Sequence, residues 1–225
     1  MPIALLADAH LGGPGGSGDE LGAQLEALSV ECCERLVVLG DLFHVWVGYR
    51  RYETEELRRL LPVIQNLRNR GVPVHYIEGN RDFYLASGDY ASCFDSIGYE
   101  YAFVSDGVRY LAVHGDGLND RDWRYRFWRR ASKNPLSRVV LRTLPFLGSR
   151  FLNRTDKRLS NTNFEHKKEI PEADIRRYAE VRLADAHDVL LLGHFHEPQR
   201  WSVTGGEVRV IDAWFRSRQL EWLSP

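Results

Sequence analysis

Five short apolar runs, each ending on a polar residue able to bind a metal, constrain this chain more than any other feature. Ile3 to Ala7 leads into Asp8 and His10, Leu36 to Leu39 into Asp41, and Val72 to Ile77 into Asn80. Val108 to Val113 leads into His114, and Val189 to Leu192 into His194 and His196. Runs this short and this apolar read as buried strands. Charged, helix-compatible segments separate the first three, Glu20 to Glu34 and Glu53 to Arg70, the second stopped by Gly71 and Pro73. The resulting β-α-β-α-β order predicts an α/β fold, a core sheet covered by helices. In open α/β sheets, ligand sites gather outside the carboxyl ends of the strands, so the seven polar residues are expected to converge on one crevice.

Each fragment alone is weak. Asp8-Ala9-His10 after a strand is common by chance, Gly40-Asp41 and Gly79-Asn80 fit turns, and an isolated His114 fits a satisfied core histidine. Gly193-His194-Phe195-His196 is stronger, because alternate side chains of an extended segment point the same way and bring two imidazoles together. Five fragments in this order point to a two-metal centre. Two divalent ions about 3.5 to 4 Å apart clamp a phosphoryl group and activate water, which calls for a bridging carboxylate. Asp41 is the candidate bridge. A carboxylate, imidazole and amide set without thiolate favours Mn²⁺, Fe or Zn²⁺ over a Cys-rich zinc site or Ca²⁺.

The 225 residues, 44% hydrophobic and 27% charged, suffice for one well-buried core with a subdomain. A formal net charge of -1 excludes a wholesale polycation, so any anionic partner must meet a local basic patch. Cys32, Cys33 and Cys93 are odd in number and read as reduced thiols of a cytosolic protein. No basic leader precedes the first apolar run, and no stretch approaches the roughly 18 apolar residues of a membrane span. Gly12 to Gly18 lacks the Lys-Ser/Thr ending of a phosphate cradle and reads as a flexible connection. Gly205-Gly206, between Arg200 to Thr204 and Val208 to Ala213, is a hairpin signature, so the last part of the sheet is expected to be antiparallel.

Residues 117–172 break the alternation with dense arginine, aromatic residues and several prolines, as an inserted helical cap would, leaving 1–116 and 173–225 as the core. Trp123, Tyr125, Phe127 and Trp128 alternate with Arg121, Arg124, Arg126, Arg129 and Arg130. Such a segment could stack on single-stranded bases, line a chamber for acyl chains, or form the core of the cap with a solvated basic face. Beside a phosphate-cutting crevice it suits an amphiphilic substrate, whose acyl chains leave water at ~0.8 kcal/mol per methylene. A basic rim would draw the protein to anionic lipid. A nucleic-acid role ranks lower, because the basic residues cluster in one insertion and 31 acidic residues balance them.

The order Asp8-Ala-His10, Gly40-Asp41-Leu-Phe, Gly79-Asn80-Arg81-Asp82, His114-Gly-Asp116 and Gly193-His194-Phe-His196 resembles the calcineurin-like metallophosphoesterase superfamily along the whole chain. Gly79 to Phe83, Leu-Phe-His-Val-Trp after Asp41, the cap after Leu118 and Asp212-Ala-Trp214 resemble its UDP-2,3-diacylglucosamine hydrolase branch, of lipid A synthesis. The resemblance implies an αββα sandwich of mixed sheets flanked by helices. It implies one ion held by Asp8, His10, Asp41 and His196, a second held by Asp41, Asn80, His114 and His194, and Mn²⁺ as the usual metal. The implied reaction cuts the pyrophosphate to UMP and 2,3-diacylglucosamine 1-phosphate. Substrate contacts are expected from Asp122, Tyr125, Arg129 and His194, and more loosely from Arg158, Ser160 and Lys167; Arg121 stands where that branch often has an acid. A monomer in peripheral contact with the cytoplasmic membrane face is expected.

Many members of the superfamily carry histidine where this chain has Arg81, and that histidine can protonate a departing alkoxide. A guanidinium stays charged and cannot. Arg81 can grip phosphate through two parallel hydrogen bonds, and a phosphate leaving group, with a second pKa near ~6, departs without a proton. The residue therefore favours a phosphoanhydride over an alcohol ester. The bland alternative pairs Arg81 with Asp82 on a solvated loop. Rival functions are a soluble metallophosphoesterase acting on another nucleotide or phosphoester, and a metal-free interaction module marked by lost ligands, of which none is missing.

Overall fold

The first strand already divides the core in two. In β1 (Ile3–Leu6), Ile3 and Leu5 join one buried cluster while Ala4 and Leu6 join another, as the period of two dictates for a strand buried on both faces. The structure, a computed structural model, describes residues 1–13, 18–119, 123–144, 170–184 and 186–223.

β1 lies in a sheet with β2 (Leu36–Val38), β4 (Val74–Ile77) and β6 (Ser96–Gly98), all parallel, and β12 (Glu221–Leu223) closes it antiparallel to β1. A second sheet runs β10 (Gln199–Val203), β11 (Gly206–Val210), β9 (Val189–Leu192), β8 (Val108–Val113), β7 (Glu100–Ser105), parallel in the middle and antiparallel at both ends. Ile3, Leu5, Val37, Leu39 and Ile77 of the first sheet meet Phe103, Ala112 and Leu191 of the second in one apolar layer. The outer face of the first sheet packs under α1 (Gly18–Ala27) and α2 (Glu55–Asn69). α3 (Trp123–Ser132) and α4 (Pro135–Thr143) follow in the chain, and α5 (Glu172–Leu183) covers the second sheet through Ile175, Ala179 and Leu183. The expected α-β-β-α layering is present.

Local chemistry explains most boundaries. Thr54 caps α2 by accepting from the Leu57 amide at 3.3 Å, with Glu55 and Glu56 in the first turn where the helix dipole favours them. α1 stops at Ala27 instead of running to Glu34, because the Ser29 carbonyl takes the Cys32 and Cys33 amides into a turn while its hydroxyl takes the Glu31 amide. The hairpin forms with Thr204-Gly205 as its two-residue loop and Val203 paired with Gly206. β7 was not among the apolar runs, because an edge strand buries only alternate residues, here Phe103 and Ser105.

A two-stranded ribbon, β3 (Trp46–Val47) beside β5 (Asp82–Phe83), packs against α3 and α4. Leu141 of α4 is buried against Val47, Tyr49 and Phe83, and the Tyr52 and Tyr84 hydroxyls donate to the Leu141 and Asn134 carbonyls at 2.9 and 2.8 Å. Asn134 caps α4 in a reciprocal bond pair with Ser137, and Pro135 opens the helix. Among the described residues, no helix is long and apolar enough to cross a membrane.

If the layer between the sheets is the main store of stability, Leu191→Ala should cost about 2–5 kcal/mol, whereas Val104→Ala, 58% exposed on the same sheet, should stay within about 0.5 kcal/mol. Denaturant titration of the two variants makes the comparison, and equal losses would contradict it.

Candidate metal centre

All seven residues expected to bind metal follow strands at the carboxyl ends of the two sheets, and each of them touches at least one other of the seven. Asp8 and Asp41 are fully buried, and each divides its carboxylate between two tasks. Asp8 Oδ2 accepts the His194 amide at 2.7 Å, and Asp41 Oδ1 accepts the Arg81 amide at 2.8 Å, so one oxygen of each binds a neighbouring ligand loop. The other oxygens, Asp8 Oδ1 and Asp41 Oδ2, have no hydrogen-bond partner among the described residues. Imidazole nitrogens face them instead: His196 Nε2 at 3.3 Å and His10 Nε2 at 3.6 Å from Asp8 Oδ1, and His114 Nε2 at 3.6 Å from Asp41 Oδ2.

The tautomer of His114 follows from its partner. A carbonyl oxygen only accepts, so His114 Nδ1 carries the proton it donates to Leu39 O at 2.6 Å, and the lone pair of the neutral ring sits on Nε2. That nitrogen lies 3.2 Å from Asn80 Oδ1, and His10 Nε2 lies 3.3 Å from His196 Nε2. The His114 lone pair and two buried carboxylate oxygens, with the His10 and His196 nitrogens beside them, fit cations. Two overlapping groups result, Asp8 with His10 and His196, and Asp8 with Asp41 and His114, each with ligand atoms within 4.8 Å of one another. The groups share Asp8, and Asp41, the bridge expected from the sequence, belongs to the second of them. The ring of His194 stands against that of His114, centroids 5.1 Å apart.

The backbone is bent to achieve this. Asp8, His10, Asp41, His194 and His196 all have φ between 48° and 67°, the left-handed region that side chains avoid. Such residues cost of order 1–3 kcal/mol each and collect at functional sites. The neighbouring glycines are required by packing: a Cβ on Gly79 would lie 2.2 Å from Asp41 Oδ1, and one on Gly193 3.0 Å from Asp8 Oδ2.

Electrostatics agrees with the geometry. Burial works against the charge on Asp8, yet His196, His114 and His10 hold its carboxyl well below the usual range. Burial likewise disfavours a charged His114, but Asp41 and Asp8 outweigh it and raise the ring's affinity for a proton.

Two residues that the sequence left undecided acquire roles. Asp82 Oδ2 accepts from the Asp41 amide at 3.0 Å, the Gly79 amide at 2.8 Å and the Tyr76 hydroxyl at 3.1 Å, tying two ligand loops together. Burial, then the nearby Asp41, push its carboxyl up to about 7. Asp116 Oδ2 accepts from the Tyr125 hydroxyl at 2.7 Å and Arg129 Nε at 2.6 Å. Tyr125 and Arg129, expected at the substrate, thus meet the loop that follows His114. Arg81 is 1% exposed, donates through Nη1 to His44 O at 2.9 Å and places Nε 3.7 Å from Asp41 Oδ2, which replaces the solvated-loop alternative. Lys133, which no sequence signal separated from the other basic residues of the cap, donates to Gly79 O at 2.6 Å. Asp122, Arg158, Ser160 and Lys167 lie outside the described residues.

The sequence model of the calcineurin-like phosphoesterase family matches residues 1–198. The chain belongs to that family. Among curated relatives, the UDP-2,3-diacylglucosamine hydrolase of Sodalis glossinidius is 31% identical over 187 residues, covering 80% of this chain and 77% of that protein. The protein of the same name from Ectopseudomonas mendocina is 30% identical over 223 residues, covering 95% and 90%. Among solved structures, the protein of unknown function AQ665 from Aquifex aeolicus aligns over 98% of this chain and 95% of its own at 15% identity, with a TM-score of 0.48. This metallophosphoesterase is a hydrolase of phosphoester or phosphoanhydride bonds, and its buried acceptor cluster is the candidate metal centre.

Protons and cations compete for the same lone pairs, so the rise in melting temperature on adding Mn²⁺ to chelator-treated protein should be larger at pH 8 than at pH 6. Because the proton affinity of His114 is raised, the loss should begin above the ordinary imidazole range; an equal rise at both pH values would contradict this. Asp82→Ala strands three donors, each about 1–3 kcal/mol when buried and unpaired. Calorimetry should show a lowered melting temperature together with weakened metal binding, and unchanged metal affinity would refute the tie between the loops.

Proposed function

We propose that this enzyme cleaves the pyrophosphate of UDP-2,3-diacylglucosamine, releasing UMP and 2,3-diacylglucosamine 1-phosphate. The observation that carries the reading is Arg81, a buried permanent cation one residue from Asn80 and beside Asp41. Water adds to one phosphorus, the bridging P–O bond breaks, and the bridging oxygen leaves on the second phosphate. At that point the chain needs positive charge on the phosphoryl oxygens and no proton for the leaving group, which is what a guanidinium offers. The two divalent ions, Mn²⁺ in this reading, supply charge neutralisation and a lowered water pKa when bound. Asp8, His10, Asp41 and His196 would hold one, and Asp41, Asn80, His114 and His194 the other. The chain's own part is to present those acceptors, exclude water around them and keep His114 in the Nε2 lone-pair tautomer.

The lipid half of the substrate is supported by the cap helices. Trp123 and Phe127, one turn apart on α3, are 67% and 69% exposed, and Leu136 on α4 is 73% exposed. Large apolar side chains left in water beside a phosphate-cutting rim suit acyl chains and a lipid surface. In this reading residues 117–172 form the cap, and Asp122, His194, Arg158, Ser160 and Lys167 contact substrate. The enzyme is a monomer that visits the anionic cytoplasmic membrane face and does not bind nucleic acid. The relatives near 30% identity carry the name of this activity.

Mn²⁺-loaded protein given UDP-diacylglucosamine, UDP-sugars without acyl chains, and p-nitrophenyl phosphate in parallel decides the matter. The diacylated substrate should be preferred by at least tenfold in kcat/KM, and comparable turnover of all three would leave only a general phosphoesterase. Arg81→Ala should lower kcat on the anhydride by about 10²–10³, the range for removing one donor to developing charge.

A further inference from the structure

The two halves of the metal centre are held by different parts of the molecule. Around Asp8 and His196 the ties come from the core. The Trp214 amide donates to Ala7 O at 2.8 Å, the Phe215 amide to Asp8 O at 3.3 Å, and Arg216 Nη1 to His196 O at 3.1 Å, all from α6 (Trp214–Ser217) and its edge. Around Asn80 and His114, three further ties come from α3 and the residue that follows it. Lys133 Nζ donates to Gly79 O at 2.6 Å, while Tyr125 and Arg129 both donate to Asp116 Oδ2.

These contacts act on the soft points of the two loops. The Gly79 carbonyl belongs to the peptide that enters Asn80, and the Gly79 amide is already held by Asp82. Lys133 therefore fixes the far end of a glycine that would otherwise swing. Gly115, with φ of 103°, joins His114 to Asp116, so clamping Asp116 removes the freedom that this glycine would give the His114 loop. Asn80 Oδ1 and His114 Nε2, 3.2 Å apart, are the atoms governed by these two points.

We infer that α3 is a working part of one cation position only. Tyr125, Arg129 and Lys133 are positioning residues for Asn80 and His114, and docking of the cap is coupled to occupancy of that position and not to the position at His10 and His196. The inference rests on the two-cation reading of the centre. Coupling of this kind is reciprocal, so a cation at Asn80 and His114 tightens the cap, and a tightened cap holds that cation more firmly. The 117–172 segment then does more than cover the site, since its engagement completes the coordination.

Equilibrium dialysis of the full chain against Mn²⁺ tests this with the variants Lys133→Met, Arg129→Met and Tyr125→Phe, and with Arg130→Ala, exposed on the same helix, as control. Wild type and the control should bind two equivalents. In the three variants the first equivalent should bind as in wild type and the second about 10- to 100-fold more weakly, the usual loss on removing a partner of a ligand. Tyr125→Phe keeps the ring and deletes one hydroxyl, so it reports even if the charge deletions destabilise the fold. Both equivalents unchanged, or both weakened alike, overturns the inference while leaving the metal centre. A wild type that binds a single equivalent overturns the two-cation reading, and this inference with it.

Discussion

Two carboxylate oxygens, Asp8 Oδ1 and Asp41 Oδ2, are buried where hydrogen bonds do not satisfy them, and much of the molecule is arranged to keep them there. Burying an unpaired anionic oxygen is unfavourable by several kcal/mol unless a cation or a proton meets it. The surrounding imidazoles lower that cost without removing it, since the lone pair of His114 also points inward. The left-handed backbone at Asp8, His10, Asp41, His194 and His196 adds strain to the same loops. A divalent ion relieves both the lone-pair crowding and the burial, so metal binding and the integrity of the rim are one equilibrium. The fold contributes a stiff platform: four parallel strands in one sheet and three in the other, packed through a single apolar layer.

The strands that bear the site were legible because they are buried on both faces, which leaves continuous apolar runs such as Leu36 to Val38 and Val189 to Leu192. The seven candidate ligands were legible for a related reason, standing within four residues of the ends of those runs. β7, exposed on alternate residues, hid among loop residues. The bracing was hidden more deeply. Asp82 and Asp116 look like turn residues, since nothing in Asn-Arg-Asp or His-Gly-Asp says which amides and hydroxyls their carboxylates will meet. Tyr125 and Arg129 were singled out by the family resemblance as substrate contacts. That resemblance did not show that both donate to Asp116. Lys133 carried no signal, one cation among the many basic residues of the cap.

The core and the cap divide the work along the ligand set. The position at His10 and His196 leans on α6 through two backbone bonds and the Arg216 side chain, whereas the region of Asn80 and His114 leans on side chains of α3 and of Lys133 after it. A cap can change its residues and its substrate without disturbing the first position. Its anchor points, Gly79 and Asp116, belong to the core, so a cap that loses Lys133 or Arg129 loosens the second.

Arg81 joins these themes. Its amide binds Asp41 Oδ1 at 2.8 Å, its Nε stands 3.7 Å from Asp41 Oδ2, and its Nη1 is held by His44 O. A residue fixed by its amide and at two points of its side chain, and 1% exposed, has little freedom left to lose when a phosphate arrives. His44 Nδ1 stands 3.3 Å from Nη1, and the guanidinium keeps its proton at any working pH. The chemistry open to the site is then set by the leaving group. One that departs as a phosphate needs only charge beside it, and one that departs as an alkoxide needs a proton that Arg81 does not give. In the proposed reaction the buried arginine therefore favours a substrate by what it withholds, a preference separate from any contact made by α3 and α4.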